Sequence, residues 1–289
     1  MRLEYPGSVI SPYFQSDSTL PGQPSGPEDP AFRKRILCEG DSWFTLGAIP
    51  SSNMLFQLKF AEPTILYNIA SPGDTIINMA NLSKNDELRK LIYEKNFAVS
   101  WDLIFISGGG NDLMDRADRL LRQPSSGAGA HLLDYIDQAE LSRLKVDIQT
   151  SYLMIAKLRE DSSLNKEVCI VTHVYDYPTP CNAPAKFIGF NIMGPWLYRA
   201  FKLHDIPNQL WISLTDYLFE WLAGVIIDLT GKINNFYVIS TTKGTLVRAK
   251  LDENGPSGDW LNEIHPTPDG YRKLSTVVSP EIYRLLYQS

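Results

Sequence analysis

An alternation of two patterns constrains this chain more than any other feature. Five short apolar runs, Arg35–Cys38, Thr64–Ile69, Leu103–Ser107, Val168–His173 and Phe236–Ser240, recur between longer stretches of helical periodicity. Most are near-continuous and rich in β-branched residues, the pattern of strands buried on both faces of a parallel sheet. Helical spacing covers about Met54–Ala61, Thr75–Leu82, Asp86–Glu94, Asp137–Arg159, Pro195–Lys202 and Ile212–Ile227, with a last helix starting near Pro268. Parallel strands need a crossover connection, and a helix supplies one. The alternation therefore predicts one α/β domain, a doubly wound three-layer sandwich with helices on both faces of five parallel strands. That domain is expected to span residues 31–289. Residues 1–30, rich in Pro, Ser and Gly ("TLPGQPSGPEDP"), read as an arm over its surface.

Composition removes several function classes. A net charge of -6 over 289 residues argues against nucleic acid as a partner. Three cysteines, an odd number, do not make a disulfide framework, and no CxxC or Cys/His ladder suggests zinc. "MRLEYPGSVISPYF" has no apolar core after a basic start, so it does not read as a secretory signal. "WLAGVIIDL" is broken by Asp228 and too short to span a bilayer, so no integral membrane segment is expected. The expected location is cytoplasmic, with signal-independent export left open. The aromatic-rich "LWISLTDYLFEWL" reads as a core helix, with a homo-oligomer contact as the alternative.

In an open parallel sheet, ligands bind beyond the carboxyl ends of the strands. The first run is followed by Gly40-Asp41-Ser42, the second by "SPGDT" with Gly73, the third by "GGGND" with Asn111 and Asp112. Beyond the last comes "DWLNEIHPTPDGY" with His265. A serine, a glycine, an asparagine and a histidine thus converge on one edge. A serine hydroxyl becomes a useful nucleophile when a neighbouring base takes its proton, and histidine titrates in the right range. Backbone N–H groups of Ser42 and Gly73 and the Asn111 amide would suit the oxyanion of an acyl-transfer intermediate. Taken singly, Ser42 and Asn111 would read as helix caps and Gly73 as a turn glycine. Trp43 and Phe44 read as packing residues, with lining of an acyl or alcohol pocket as the alternative; His173 and Asp176 could reach the pocket rim, with a satisfied loop histidine favoured over a role in binding.

In that order the four motifs resemble the SGNH hydrolases, the GDSL esterase/lipase superfamily, from about Arg33 to the end of the chain. The resemblance implies a flavodoxin-like fold with five parallel strands. It implies Ser42 as nucleophile, His265 as general base, and Ser42, Gly73 and Asn111 around the oxyanion, with no metal or organic cofactor. The implied reaction is hydrolysis of a small-molecule, carbohydrate or lipid ester, with acetyl or another short acyl group fitting it. Acyl transfer on the same site, or a silent ligand-binding domain, are the alternatives. No Gly-x-Ser-x-Gly elbow is present. The family usually has an Asp three residues before the histidine; here that position is Asn262. Glu263, Asp259, the Asn262 amide oxygen or a backbone carbonyl could then orient His265. Glu263 ranks ahead of Asp259 because it is nearer in sequence.

Overall fold

The computed structural model describes residues 2–12, 24–45, 52–125, 131–187 and 190–288. In chain order the strands are β1 (Tyr5–Pro6), β2 (Ser8–Ile10), β3 (Lys34–Gly40), β4 (Lys59–Phe60) and β5 (Thr64–Asn68). After them come β6 (Leu103–Ser107), β7 (Ile170–His173), β8 (Ala185–Phe187), β9 (Phe190–Met193) and β10 (Phe236–Ile239). The helices begin with α1 (Met54–Gln57), α2 (Ile76–Met79), α3 (Asp86–Ile92), α4 (Gly110–Met114) and α5 (Ala117–Leu120). The longer ones follow: α6 (Gln138–Glu160), α7 (Leu197–Leu203), α8 (Trp211–Ile227) and α9 (Pro268–Tyr287).

The main sheet has the order β10-β7-β6-β3-β5-β2, parallel throughout. The five expected strands all lie in it, flanked by helices. Every residue of β6 and β7 is buried, as their unbroken apolar runs require. Helix α9 packs on α1, whereas α6 gathers α2, α3, α4 and α8. Local capping explains the helix starts. Asn53, Thr75, Asp137 and Thr267 each accept a backbone N–H at the N-cap of α1, α2, α6 and α9, and Pro268 occupies the first position of α9.

Two local expectations change. The amino-terminal arm does not only lie over the surface: Ser8, Val9 and Ile10 pair in parallel with Ile65, Leu66 and Tyr67, adding a sixth strand beside β5. The helix expected over Met54–Ala61 ends at Gln57, because Leu58 turns extended and Lys59–Phe60 pair with Tyr5–Pro6. Strand pairing with a distant segment outweighs the local helical spacing. Two stretches read from the sequence as loop insertions, "QPSSGAGAH" and "YDYPTPCNAPAKF"; the first falls mostly outside the described residues, and the second ends in β8, which pairs with β9.

Helix α8 buries Trp211, Leu214, Leu218, Phe219 and Leu222. With the short turn before it, the segment Asn208–Ile227 is long and apolar enough to cross a membrane by length and composition, and half of it is buried inside the fold. After β5 the chain crosses to the opposite side of β3 to begin β6. The carboxyl end of β3 is therefore the switch point of the sheet, where a crevice opens between diverging loops.

Candidate active site

Ser42 sits in the turn that leaves β3 at this switch point. Asp41 N–H donates to Ser107 O (3.1 Å), Phe44 N–H to Asp41 O (3.1 Å) and Met54 N–H to Trp43 O (2.9 Å), so the turn is held at both ends. The Asp41 carboxylate accepts Trp43 N–H at 2.9 Å and closes it from inside. Ser42 Oγ lies 2.7 Å from His265 Nε2, across 223 residues of chain.

The loop that carries His265 is folded on itself. Leu261 N–H donates to His265 O (2.8 Å) and Thr267 N–H to Asp259 O (2.8 Å). Asn262 Oδ1 accepts from Ile264 N–H (3.1 Å) and His265 N–H (3.0 Å), and stands 3.0 Å from His265 Nδ1. Those two backbone donors identify the atom as the amide oxygen. Nδ1 must then carry the hydrogen and Nε2 be free to accept from Ser42. Burial lowers the imidazole pKa to about 4. Trp43 ties this loop to the serine turn, its indole N–H donating to Ile264 O at 3.1 Å.

The expected preference for Glu263 as the orienting group does not match this geometry. Its carboxyl group turns away and accepts from the backbone N–H groups of Trp196, Leu197 (3.1 Å) and Tyr198 (2.7 Å), at the start of α7. Burial raises its pKa to about 8 against the pull of these donors. Asp259 is also committed elsewhere: it bonds Lys273 Nζ at 2.7 and 2.6 Å and Val247 N–H at 2.6 Å. Of the carboxylate and amide candidates, only Asn262 touches His265.

Asn111 and Asp112 start α4 and reach back to the loop after β5. Asn111 Nδ2 donates to Asp74 O (2.9 Å), leaving its second hydrogen uncommitted. Asp112 accepts from Ile76 N–H at 2.8 Å and Ile77 N–H at 3.4 Å. Gly73, one residue before Asp74, has φ +76, a conformation that disfavours residues with a Cβ. The backbone N–H groups of Ser42 and Gly73 have no hydrogen-bond partner among the described residues. Ser42 and Asn111 share the wall of a cavity completed by Trp43, Met114, Phe219 and Trp260; Gly73 does not line it. The cavity is narrow, about 20 Å³, roughly one water-sized group.

Behind the serine lies a polar cluster that the sequence does not announce. Tyr175 O–H donates to Asp41 Oδ2, and Ser107 Oγ lies 2.9 Å from Asp41 Oδ1. His173, for which a satisfied structural role is favoured over binding, is fully buried with both ring nitrogens partnered: Nε2 is 3.0 Å from Ser107 Oγ and Nδ1 is 3.1 Å from Val174 O. Trp43 stacks on its ring with centroids 5.5 Å apart. The glycine run after β6 is what admits Tyr175, since a Cβ on Gly110 would meet its ring at 2.8 Å. Asp176 accepts from Tyr177, Gly244 and Leu246 N–H groups and so anchors the loop after β10. His204, for which the sequence offers no partner, lies 2.7 Å from Asp118 O. Among the described residues no three His, Cys, Asp or Glu side chains gather as a metal site would need.

No protein-family model matches the chain, and no curated protein does. Among solved structures the chain has distant likenesses. One is a carbohydrate esterase family 3 protein from Talaromyces cellulolyticus, with 10% identity and a TM-score of 0.45, covering 89% of this chain and 100% of that one. A second is the inhibitor-bound aryl esterase of M. smegmatis, at 15% identity and a TM-score of 0.45, over 88% and 100% of the two chains. A third is a carbohydrate acetylesterase family member from Sinorhizobium meliloti, at 14% identity and a TM-score of 0.45, over 88% and 99%. The likeness is distant in all three.

Proposed function

We propose that this chain is a serine esterase of the SGNH type, cleaving carboxylic esters with small acyl groups. One observation carries the reading: Ser42 Oγ at 2.7 Å from an imidazole whose other nitrogen is backed by Asn262 Oδ1 at 3.0 Å. That arrangement is a nucleophile, a base and a group that fixes the base's tautomer.

In the proposed cycle His265 Nε2 takes the Ser42 proton as Oγ attacks the ester carbonyl. The imidazolium that forms keeps its Nδ1–H on Asn262. Charge on the former carbonyl oxygen is met by the uncommitted Ser42 N–H and the free Asn111 amide hydrogen, the two donors that share the cavity wall. Each such donor typically contributes about 2.7–4 kcal/mol. His265 returns its proton to the leaving alcohol, and water then repeats the sequence on the acyl-enzyme. No step needs a metal or an organic cofactor. The narrow cavity beside Ser42 favours short acyl groups over long ones.

Labelling with a fluorophosphonate and mapping the modified residue tests the reading. The expected result is a single adduct on Ser42, absent from Ser42→Ala, together with turnover of p-nitrophenyl acetate. A folded protein that takes no label and leaves that ester intact would overturn it. Ester transfer to an added alcohol at the expense of free acid would move the reading to acyltransferase.

A further inference from the structure

The buried cluster behind Ser42 poses a question of proton counting. Val174 O can only accept, so His173 Nδ1, 3.1 Å away, must carry a hydrogen. Nε2 stands 3.0 Å from Ser107 Oγ, and Ser107 Oγ stands 2.9 Å from Asp41 Oδ1. The serine has one hydrogen to share between them. With a neutral imidazole and an ionised carboxylate, Ser107 can satisfy only one of the two contacts. The other would set lone pair against lone pair inside a site where Asp41 is 2% exposed and Ser107 and His173 are 0% exposed.

We infer that Asp41, Ser107 and His173 hold one shared proton beyond that count, and that this proton locks the turn presenting Ser42. Two arrangements complete the chain. The proton on Nε2 lets His173 donate to Ser107 and Ser107 to Asp41. The proton on Asp41 Oδ1 lets the carboxyl group donate to Ser107 and Ser107 to Nε2. Complete burial favours the second, which contains no charge. Tyr175 O–H to Oδ2 and Trp43 N–H to Oδ1 are kept in both.

The surroundings agree. Tyr152 from α6, Tyr175 after β7 and Tyr271 from α9 are the titratable groups facing Asp41, all neutral phenols. His173 is walled by Trp43, Phe44, Phe105 and Tyr175. Among the described residues no Lys or Arg bonds to Asp41 or His173, so no external charge stabilises an ionised carboxylate. Burial raises the Asp41 pKa to about 6 and lowers that of His173 to about 4, the direction that leaves the proton on Asp41.

Loss of the proton leaves Ser107 donating to the ionised Asp41 and sets its lone pair against His173 Nε2, so the Ser107–His173 contact parts. His173 stacks on Trp43, which ties the serine turn to the His265 loop, so Ser42 loses its alignment with His265. Asp41, Ser107 and His173 are therefore positioning residues. The proton count is independent of the proposed esterase activity; the effect on reactivity rests on it.

The test has two arms. In protein carrying 13C-carboxyl aspartate and 15N-imidazole histidine, NMR from pH 5 to 9 is expected to show the Asp41 and His173 signals changing together in one step. An ionised Asp41 beside a singly protonated His173 throughout that range would overturn the inference, whatever the activity. In the second arm, the rate of Ser42 labelling by a fluorophosphonate is expected to fall about tenfold per pH unit above that step. Ser107→Ala, which removes the conflict, is expected to abolish this alkaline limb, and Ser107→Thr to keep it. An alkaline limb that persists in Ser107→Ala would also overturn the proposal.

Discussion

A carboxylate behind His265 would place a full negative charge against Nδ1, whereas the Asn262 oxygen accepts the same hydrogen without one. The consequence is an imidazole that holds a second proton weakly, with a pKa lowered to about 4 by burial. In the proposed cycle His265 must be neutral to take the Ser42 proton, so this base is lost as pH falls through that value. The acid limb of kcat/KM for p-nitrophenyl acetate is therefore expected to be absent at about pH 5 and above and half-developed near pH 4. Asn262→Asp supplies an opposite charge, which favours the protonated ring, so the acid limb should move upward toward 6. Asn262→Ala removes the Nδ1 acceptor and both turn bonds, and a loss in kcat on the order of 10² is expected from the misplaced base. Ser42, Asn111 and His265 are legible in sequence because each follows a strand whose direction sets where the loop emerges. Glu263 misleads because neighbours in a tight turn point in different directions, and its partners lie 65 to 67 residues away.

The helices were legible where capping and spacing agree, as at Asp137 for α6 and Thr267 for α9. They were not legible where a remote strand intervenes, as at Leu58. Helix α7 adds a case in which the cap comes from outside the helix. Its start has no side-chain cap of its own, and the Glu263 carboxyl group takes three of its backbone donors. Glu263→Ala should lower unfolding stability by about 2 kcal/mol through donors left unpaired, measured by urea titration. Labelling of Ser42 well below the melting point should persist, which separates a capping role from a catalytic one. Helix α8 contributes Phe219 to the cavity wall at Ser42. Phe219→Ala should widen it and raise the butyrate-to-acetate ratio of kcat/KM by roughly tenfold or more, since one methylene in a pocket is worth about 1–3 kcal/mol.

For the whole molecule, five strands and their convergence on one edge follow from buried apolar runs, whose length and β-branching survive without any alignment. The sixth strand does not, because three residues carry no measurable period. Removing residues 1–10 would uncover the edge of β5 and expose the surface that Ile10 covers. The expected cost is about 2 kcal/mol, a fall in Tm of about 5 °C for a chain of this size, with the Ser42 adduct still forming at 25 °C. The polar cluster behind the serine was equally illegible: Asp41, Ser107, His173 and Tyr175 come from three strand ends, and no spacing rule links them.

The link from the Trp43 indole to Ile264 O spans 221 residues. On the ribosome the serine turn therefore emerges long before the loop it must bind, and its reactive geometry waits for the last strand and helix to dock. The contact cannot form before both partners exist, so on the proposed function a truncated chain lacking the His265 loop does not react with esters. Labelling of Ser42 then serves as a readout of completed folding.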